Sequence, residues 1–287
     1  MSSKQQVVSQ GENCLFPLDA QPPLHRYVND LYKRRYFIWY QARARAFQVT
    51  RGTVLGSIWI LGQPILQALM YGTLFGLLLK TSRGIDNFIG FLIIGITFFG
   101  LMNKQLTAGS NLLQGGKALI QSFRMPTATI PLAQSLQIAL DTAPAALMSV
   151  LIALVMQGGH NLTWTVLLVV PLFALTQIFG CGLMLVAARV GAFVPDTRIV
   201  LSYVSSAWFF CSGIFYSLER YADNPSLYQL LSMNPGFFYI DAVRQVTMYG
   251  KAPSASDWLM YIFVALATFA TGFLIFWRGE RRYRNVI

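Results

Sequence analysis

Charge is scarce in this chain. Asp, Glu, Lys and Arg make up only 11% of its 287 residues, about half the share of an ordinary soluble domain. Histidine is scarcer still: His25 and His160 are isolated, so neither a metal site nor a Ser-His pair is expected. The eleven acidic residues are scattered, with no Asp-x-Asp to hold a metal-bound sugar nucleotide, which argues against a membrane glycosyltransferase. A phosphate-cradling Gly-rich loop is also missing. The nearest stretch, Gly115-Gly116-Lys117-Ala118, has neither the leading Gly at the right spacing nor the Ser/Thr that would hold Mg. The expectation is a non-enzyme that binds no metal or cofactor of its own and draws its energy from elsewhere. Cys14, Cys181 and Cys211 lie far apart, two of them inside apolar runs, and fit neither a zinc site nor a disulfide framework. The first 25 residues lack a basic stretch followed by an apolar one, so no cleavable signal is expected and the amino terminus is expected on the cytoplasmic side.

What is abundant is apolar. The chain is 55% hydrophobic with mean hydropathy +0.50, and several runs reach the ~20 residues that a helix needs to cross ~30 Å of hydrocarbon. The formal net charge of +11 is not gathered on one basic face, so it reads as a topology signal and not as a nucleic-acid surface.

The expected architecture is all-α and integral to the membrane, with six transmembrane helices. A cytoplasmic lead (1–25) precedes an amphipathic interface helix (26–52), where Tyr27, Leu31, Tyr36, Phe37, Ile38, Trp39 and Phe47 mix with Lys33, Arg34, Arg35, Arg43 and Arg45. An ordinary solvated connecting helix is the other reading of that mixture. Six spans fill 53–277: about 53–79, from 87 to a loss of apolar character at 103–105, then 127–156, 162–188, 199–216 and 257–277. Gly158 and Gly159 supply the tight turn between the third and fourth. The half-polar stretch 217–256, with Pro225, Pro235 and Pro253, is expected to form extracytoplasmic re-entrant or interfacial helices. A basic tail (278–287) ends the chain. Both termini are then cytoplasmic, and about seventeen of the 22 Lys and Arg fall on that side.

Two polar stripes interrupt the apolar runs. On the first span Trp59, Gln63, Gln67, Tyr71 and Phe75 recur every four residues. Alternating amides and aromatic rings suit a sugar, which offers hydroxyls at its edge and C–H groups on its face, and they also suit a packed bundle interior. On the third span Gln134, Gln137 and Asp141 share one face, with Asp141 near mid-membrane. That face is either a hydrophilic lining or gate, or a hydrogen bond between packed spans. Tyr203 and Trp208 belong to an aromatic concentration on the fifth span, a lining or an interfacial belt.

Four stretches, in order, carry a resemblance. They are the run from Arg51 through Gly56 to Trp59 with Pro64 beyond it, Gly95, the two-proline run from Arg124 through Pro126 to Pro131 and Leu132, and Asn234-Pro235 followed by Ile240 and Arg244. Together they resemble permease subunits of type-2 ATP-binding-cassette exporters, in the branch that moves O-antigen, capsule, galactan or teichoic-acid polymers. One departure stands out: where that family usually has Arg-Asp, this chain reads Val194-Pro195-Asp196.

The resemblance implies a homodimer in the bacterial cytoplasmic (inner) membrane, bound to two copies of a separate ATPase subunit that carries ATP and Mg, with a lipid-linked glycan as substrate. It implies a coupling region at 111–124, with Leu113, Gln114, Lys117, Gln121, Phe123 and Arg124 toward the ATPase. It further implies that Arg34, Arg35, Arg43, Arg45 and Arg51 admit the substrate's lipid anchor, although attraction to the anionic inner leaflet accounts for the same residues. A permease of the same fold for a drug or simple lipid, or an ATP-independent scaffold of a polymer-synthesis complex, are the alternatives.

Overall fold

In the computed structural model, residues 23–46, 58–71, 73–74, 85, 87–117, 120, 125–158, 163–194, 196–217 and 224–286 are described, and every regular element among them is helical. In chain order these are α1 (Leu24–Lys33), α2 (Arg35–Arg45), α3 (Ile58–Tyr71), α4 (Phe88–Gly109), the one-turn α5 (Leu112–Gly115) and α6 (Thr129–Met156). They are followed by α7 (Trp164–Phe193, beginning as a 3₁₀ turn), α8 (Thr197–Cys211), α9 (Pro225–Ser232), α10 (Pro235–Met248), α11 (Ala255–Trp277) and α12 (Glu280–Val286).

Among the described residues, α4, α6, α7 and α11 are long and apolar enough to cross a membrane, at 22, 28, 30 and 23 residues. Their outward faces are apolar too. Leu147, Leu151 and Val155 follow one another at every fourth position of α6, and Leu259, Phe263 and Leu266 do the same service on α11, all exposed. Water would penalise such a surface, and lipid does not. The chain is therefore a multi-pass membrane protein.

α7 is the centre of the bundle, packed along α11 on one side and α4 on the other, while α4 also lies against α6. The α7–α11 seam is close because two glycines face each other there. A Cβ on Gly182 would stand 2.5 Å from the Thr268 carbonyl oxygen of α11, and one on Gly272 would meet the backbone of Gly182. Small residues at a crossing let two backbones approach, which is how helices gain dispersion contacts in lipid.

Capping shows why the elements start where they do. Asn87 accepts from the Gly90 N–H at 2.9 Å and donates to the Ala153 carbonyl at 2.8 Å, so one amide caps α4 and ties it to α6. Gly158, at φ 68°, takes the left-handed conformation after α6. At α11 Ser254 and Asp257 form a reciprocal capping box.

Several boundaries differ from the sequence expectation. α4 does not weaken at 103–105 but runs on to Gly109, because Gln105 is fully buried and satisfied: it accepts from Ser135 at 2.7 Å and donates to the Gln177 side chain at 2.5 Å. α8 stops at Cys211, short of 216, because the carbonyls that follow are taken by Arg244. The amphipathic stretch is two helices, broken at Arg34 (φ −94°, ψ 11°) and ending before Ala46; residues 47–52 lie outside the described part. Of the expected first span, the 14-residue α3 is described, and the ends expected at 53–57 and 75–79 lie outside the described residues. Two short helices, α9 and α10, occupy the expected re-entrant region.

Arg244 on α10 is completely buried. Its guanidinium donates to the Gly213 carbonyl at 2.8 Å, the Ile214 carbonyl at 3.2 Å and the Phe91 carbonyl at 3.0 and 3.2 Å, and it lies over the Phe91 ring. One side chain thus joins α4, α10 and the chain after α8. Gly95 leaves the room, since a Cβ there would lie 2.5 Å from the guanidinium. Asn234 reinforces the same corner by accepting from Trp208 Nε1 at 2.8 Å and from the Gly236 N–H at 2.9 Å, and by donating to the Cys211 carbonyl at 3.0 Å.

At the opposite end of the bundle a carboxylate does comparable work. Glu280 on α12, nearly buried, accepts from the Tyr27 hydroxyl at 2.8 Å, from the Thr127 N–H at 2.9 Å and from the Thr127 hydroxyl. The Ala128 N–H donates to the Tyr27 oxygen at 3.1 Å. The amino-terminal helix, the start of α6 and the carboxy-terminal helix therefore meet on one acid.

Candidate functional site

On the flank of the bundle, a groove of about 780 Å³ is lined by four helices, each contributing one polar strip at helical spacing. α3 contributes Trp59 and Gln63, four apart. α4 contributes Lys104, Thr107 and Ala108, and Ser110 and Asn111 follow directly after its end. α6 contributes Gln134, Gln137, Asp141 and Ala145, with Ile138 and Thr142 flanking. α8 contributes Arg198 and Ser202. The repeat of three to four residues on each helix is what brings these side chains to a common space. Inside it, Gln137 Nε2 lies 3.4 Å from Asp141 Oδ2, so an amide donor fronts the carboxylate.

A second cavity, of about 290 Å³, shares Ala108, Asn111 and Gln134 with the first and extends it past Gly115 and Gly116 to Arg45 on α2. The two make one polar path from the end of the interface helices to the flank of α6. What such a path can do is hydrogen-bond a polar chain with many neutral donors and acceptors; the walls hold three charges, Lys104, Arg198 and Asp141, with Arg45 in the extension. Among the described residues no group of three His, Cys, Asp or Glu could hold a metal ion.

Of the residues singled out from sequence, the groove gathers Trp59, Gln63, Gln134, Gln137 and Asp141. Gln67 and Tyr71 lie farther along α3, where the Tyr71 ring meets Phe215 edge-on at 6.3 Å. Tyr203 is exposed on α8 and does not line the groove. Trp208 turns inward: its ring packs on Phe99 at 5.0 Å and its N–H is spent on Asn234. Phe75 lies outside the described residues.

The basic residues of the interface helices separate. Arg45 reaches the second cavity, and Arg35 lies over the Tyr32 and Tyr36 rings at 4.4 and 4.6 Å. Arg34 marks the break between α1 and α2, Arg43 is exposed, and Arg51 is not described. In the expected coupling region, Leu113 is buried while Gln114 and Lys117 are exposed; Gln121, Phe123 and Arg124 lie outside the described residues.

Lys104, Thr107, Asn111, Arg198 and Ser202 were not anticipated as wall residues. The i, i+3 spacing of Lys104 and Thr107 on α4 and the i, i+4 spacing of Arg198 and Ser202 on α8 were the available signal.

Residues 37–248, most of the chain and the whole of the groove, match the family of ABC-2 type transporters. The chain belongs to this family. Among curated relatives of this ABC-2 permease, an O-antigen export system permease protein RfbA of Myxococcus xanthus is 23% identical over 231 residues, which is 80% of this chain and 87% of that one. Two O-antigen export system permease proteins RfbA of Klebsiella pneumoniae are 23% and 22% identical, each over 83% of this chain and 89% of their own length. As an ABC-2 permease the protein is a transport subunit.

Proposed function

We propose that this ABC-2 permease exports a lipid-linked cell-surface polysaccharide, of the O-antigen kind named for its relatives, across the bacterial cytoplasmic membrane. It works as a homodimer with six spans per copy and both termini cytoplasmic, driven by two copies of a separate ATPase subunit. The observation that carries the reading is the groove: four helices of a membrane protein turn polar strips, rich in amides and hydroxyls, into one laterally open space. Hydrocarbon is a poor cover for such a wall. A second copy covers it and encloses a hydrated passage between the two bundles.

The chemistry of the wall suits a glycan. Gln63, Gln134 and Gln137 exchange hydrogen bonds with hydroxyls, and Trp59 offers a face for C–H groups. Many weak contacts let a polymer slide, whereas one deep well would hold it. The coupling region 111–124, of which α5 is a part, transmits the closing of the ATPase subunits to the bundle in this scheme. This chain binds no nucleotide in the scheme; ATP and Mg stay on the partner.

Deleting the coding sequence in its native host tests the function. Surface polysaccharide is expected to disappear while lipid-linked glycan accumulates inside; unchanged surface polymer refutes the reading. Restoring the gene with Trp59→Ala, Gln63→Ala or Gln137→Ala, at equal protein level, is expected to lower the export rate roughly two- to tenfold each, the equivalent of one contact of about 0.5–1.5 kcal/mol. Wild-type rates from all three remove the groove from the transport path.

A further inference from the structure

We infer that Lys104 and Arg198 form an anion subsite at the mouth of the groove, and that it holds the phosphate joining the glycan to its lipid. The inference rests on the export reading above and assigns a site within it.

The two cations come from different helices and line the same cavity. Lys104 stands five residues before the end of α4, one turn before Thr107, and Arg198 is the second residue of α8, one turn before Ser202. Both ends lie on one side of the bundle, because the end of α4 packs against the end of α7: a Cβ on Gly109 would stand 2.6 Å from the Met184 carbonyl, and Gly191 abuts Ser110. Arg45, in the adjoining cavity, belongs to this side too. Asp141 is farther in, twelve residues along α6 from Thr129.

Charge in the groove is therefore graded, with cations at the mouth and a carboxylate beyond. Neither Lys104 nor Arg198 forms an ion pair with a described residue. A neutral glycan has no use for either cation. A phosphate uses both, the ammonium as a point charge and the guanidinium as a two-pronged donor. Asp141 repels the same anion. The linker is then held at the mouth while neutral sugars pass along the amides beyond it.

The test is binding to the full-length chain in nanodiscs of phosphatidylcholine, with a fluorescent polyprenyl phosphate compared with the matching polyprenol. The wild type is expected to prefer the phosphate by roughly tenfold or more, the scale of a charge-assisted contact. Lys104→Gln and Arg198→Gln should each remove most of that preference, and the charge-keeping Lys104→Arg and Arg198→Lys should retain it. Equal binding of both probes, or an undiminished preference in the two glutamine variants, overturns the subsite. Displacement of the probe by phosphatidylglycerol as readily as by unlabelled polyprenyl phosphate assigns the cations to headgroups and overturns the linker assignment. Displacement only by polyprenyl phosphate, with inorganic phosphate weak, supports it. The two readings fail separately: if the gene is required for surface polymer but Lys104→Gln/Arg198→Gln exports at the wild-type rate, the subsite falls and the export function stands.

Discussion

Arg244→Leu is expected to yield little folded protein. The leucine removes the donors that serve the carbonyls of Phe91, Gly213 and Ile214, and it leaves these oxygens in a dry corner at 0% exposure of the parent side chain. The Phe91 carbonyl keeps its place within α4, but the Gly213 and Ile214 carbonyls follow the end of α8 and lose these donors; at about 1–3 kcal/mol for each unsatisfied buried carbonyl the pair costs on the order of several kcal/mol, a large part of the stability of many folds. Arg244→Lys should not restore the corner. An ammonium on a flexible stem cannot span carbonyls on two separate segments from one plane, and it loses the contact over the Phe91 ring. Gly95→Val should mimic the defect from the other side by displacing the guanidinium. Thermal unfolding of the detergent-purified protein, followed by monodispersity in size-exclusion chromatography, reads all three. A melting temperature unchanged in Arg244→Leu would mean that the corner contributes nothing to stability.

Glu280→Ala should release the amino-terminal helices. The carboxylate is the common acceptor for the Tyr27 hydroxyl and for two donors of Thr127, and hydrogen bonds to a charged group are worth about 1.5–3 kcal/mol each. Its loss leaves Tyr27, the most deeply buried residue of α1, with the Ala128 N–H as its remaining partner in the clasp. Hydrogen exchange over residues 24–46 should accelerate by one to two orders of magnitude, the scale of about 1.4 kcal/mol per tenfold, while α7 stays protected.

The clasp also has a pH signature. Burial, and next the charge of Glu280, push the Tyr27 phenol well above its ordinary value near 10. The unfolded phenol ionises first, so the stability contributed by this group is complete below about pH 10 and declines above it. Tyr27→Phe should therefore lower stability at neutral pH and flatten part of the alkaline loss. Exchange over 24–46 that matches the wild type in Glu280→Ala would show that α1 and α2 are held by other contacts.

Much of the fold was legible because hydrocarbon imposes a simple rule on sequence. Runs of apolar residues gave α4, α6, α7 and α11, and α6 begins within two residues of its expected start. The ends were harder. Gln105 looks like the edge of a span when read locally, yet it is satisfied by Ser135 and Gln177, which arrive from two other helices. The end of α8 depends on Arg244, more than thirty positions away.

The site was legible to a similar degree. Period alone placed Gln134, Gln137 and Asp141 on one face, and Trp59 with Gln63 on another, and the structure brings both faces to one groove. Lys104 and Arg198 escaped because each reads as a charge anchoring a helix end. Their convergence is a property of how α4 and α8 pack, which no local pattern records. Trp208 is the opposite case: aromatic richness left a lining or an interfacial belt open, and the structure gives its indole N–H to Asn234, a partner visible only after folding.

That this ABC-2 permease moves a lipid-linked glycan with power from a separate ATPase, as proposed above, can be measured in one reconstituted system. The chain is co-purified with the cassette ATPase of its host, reconstituted in lipid, and assayed for ATP hydrolysis with and without the host's lipid-linked glycan. A stable complex whose turnover changes when the glycan is added is expected. A folded preparation that binds no cassette ATPase, or a complex whose hydrolysis is indifferent to the glycan and which leaves the polymer on its original side, would contradict it.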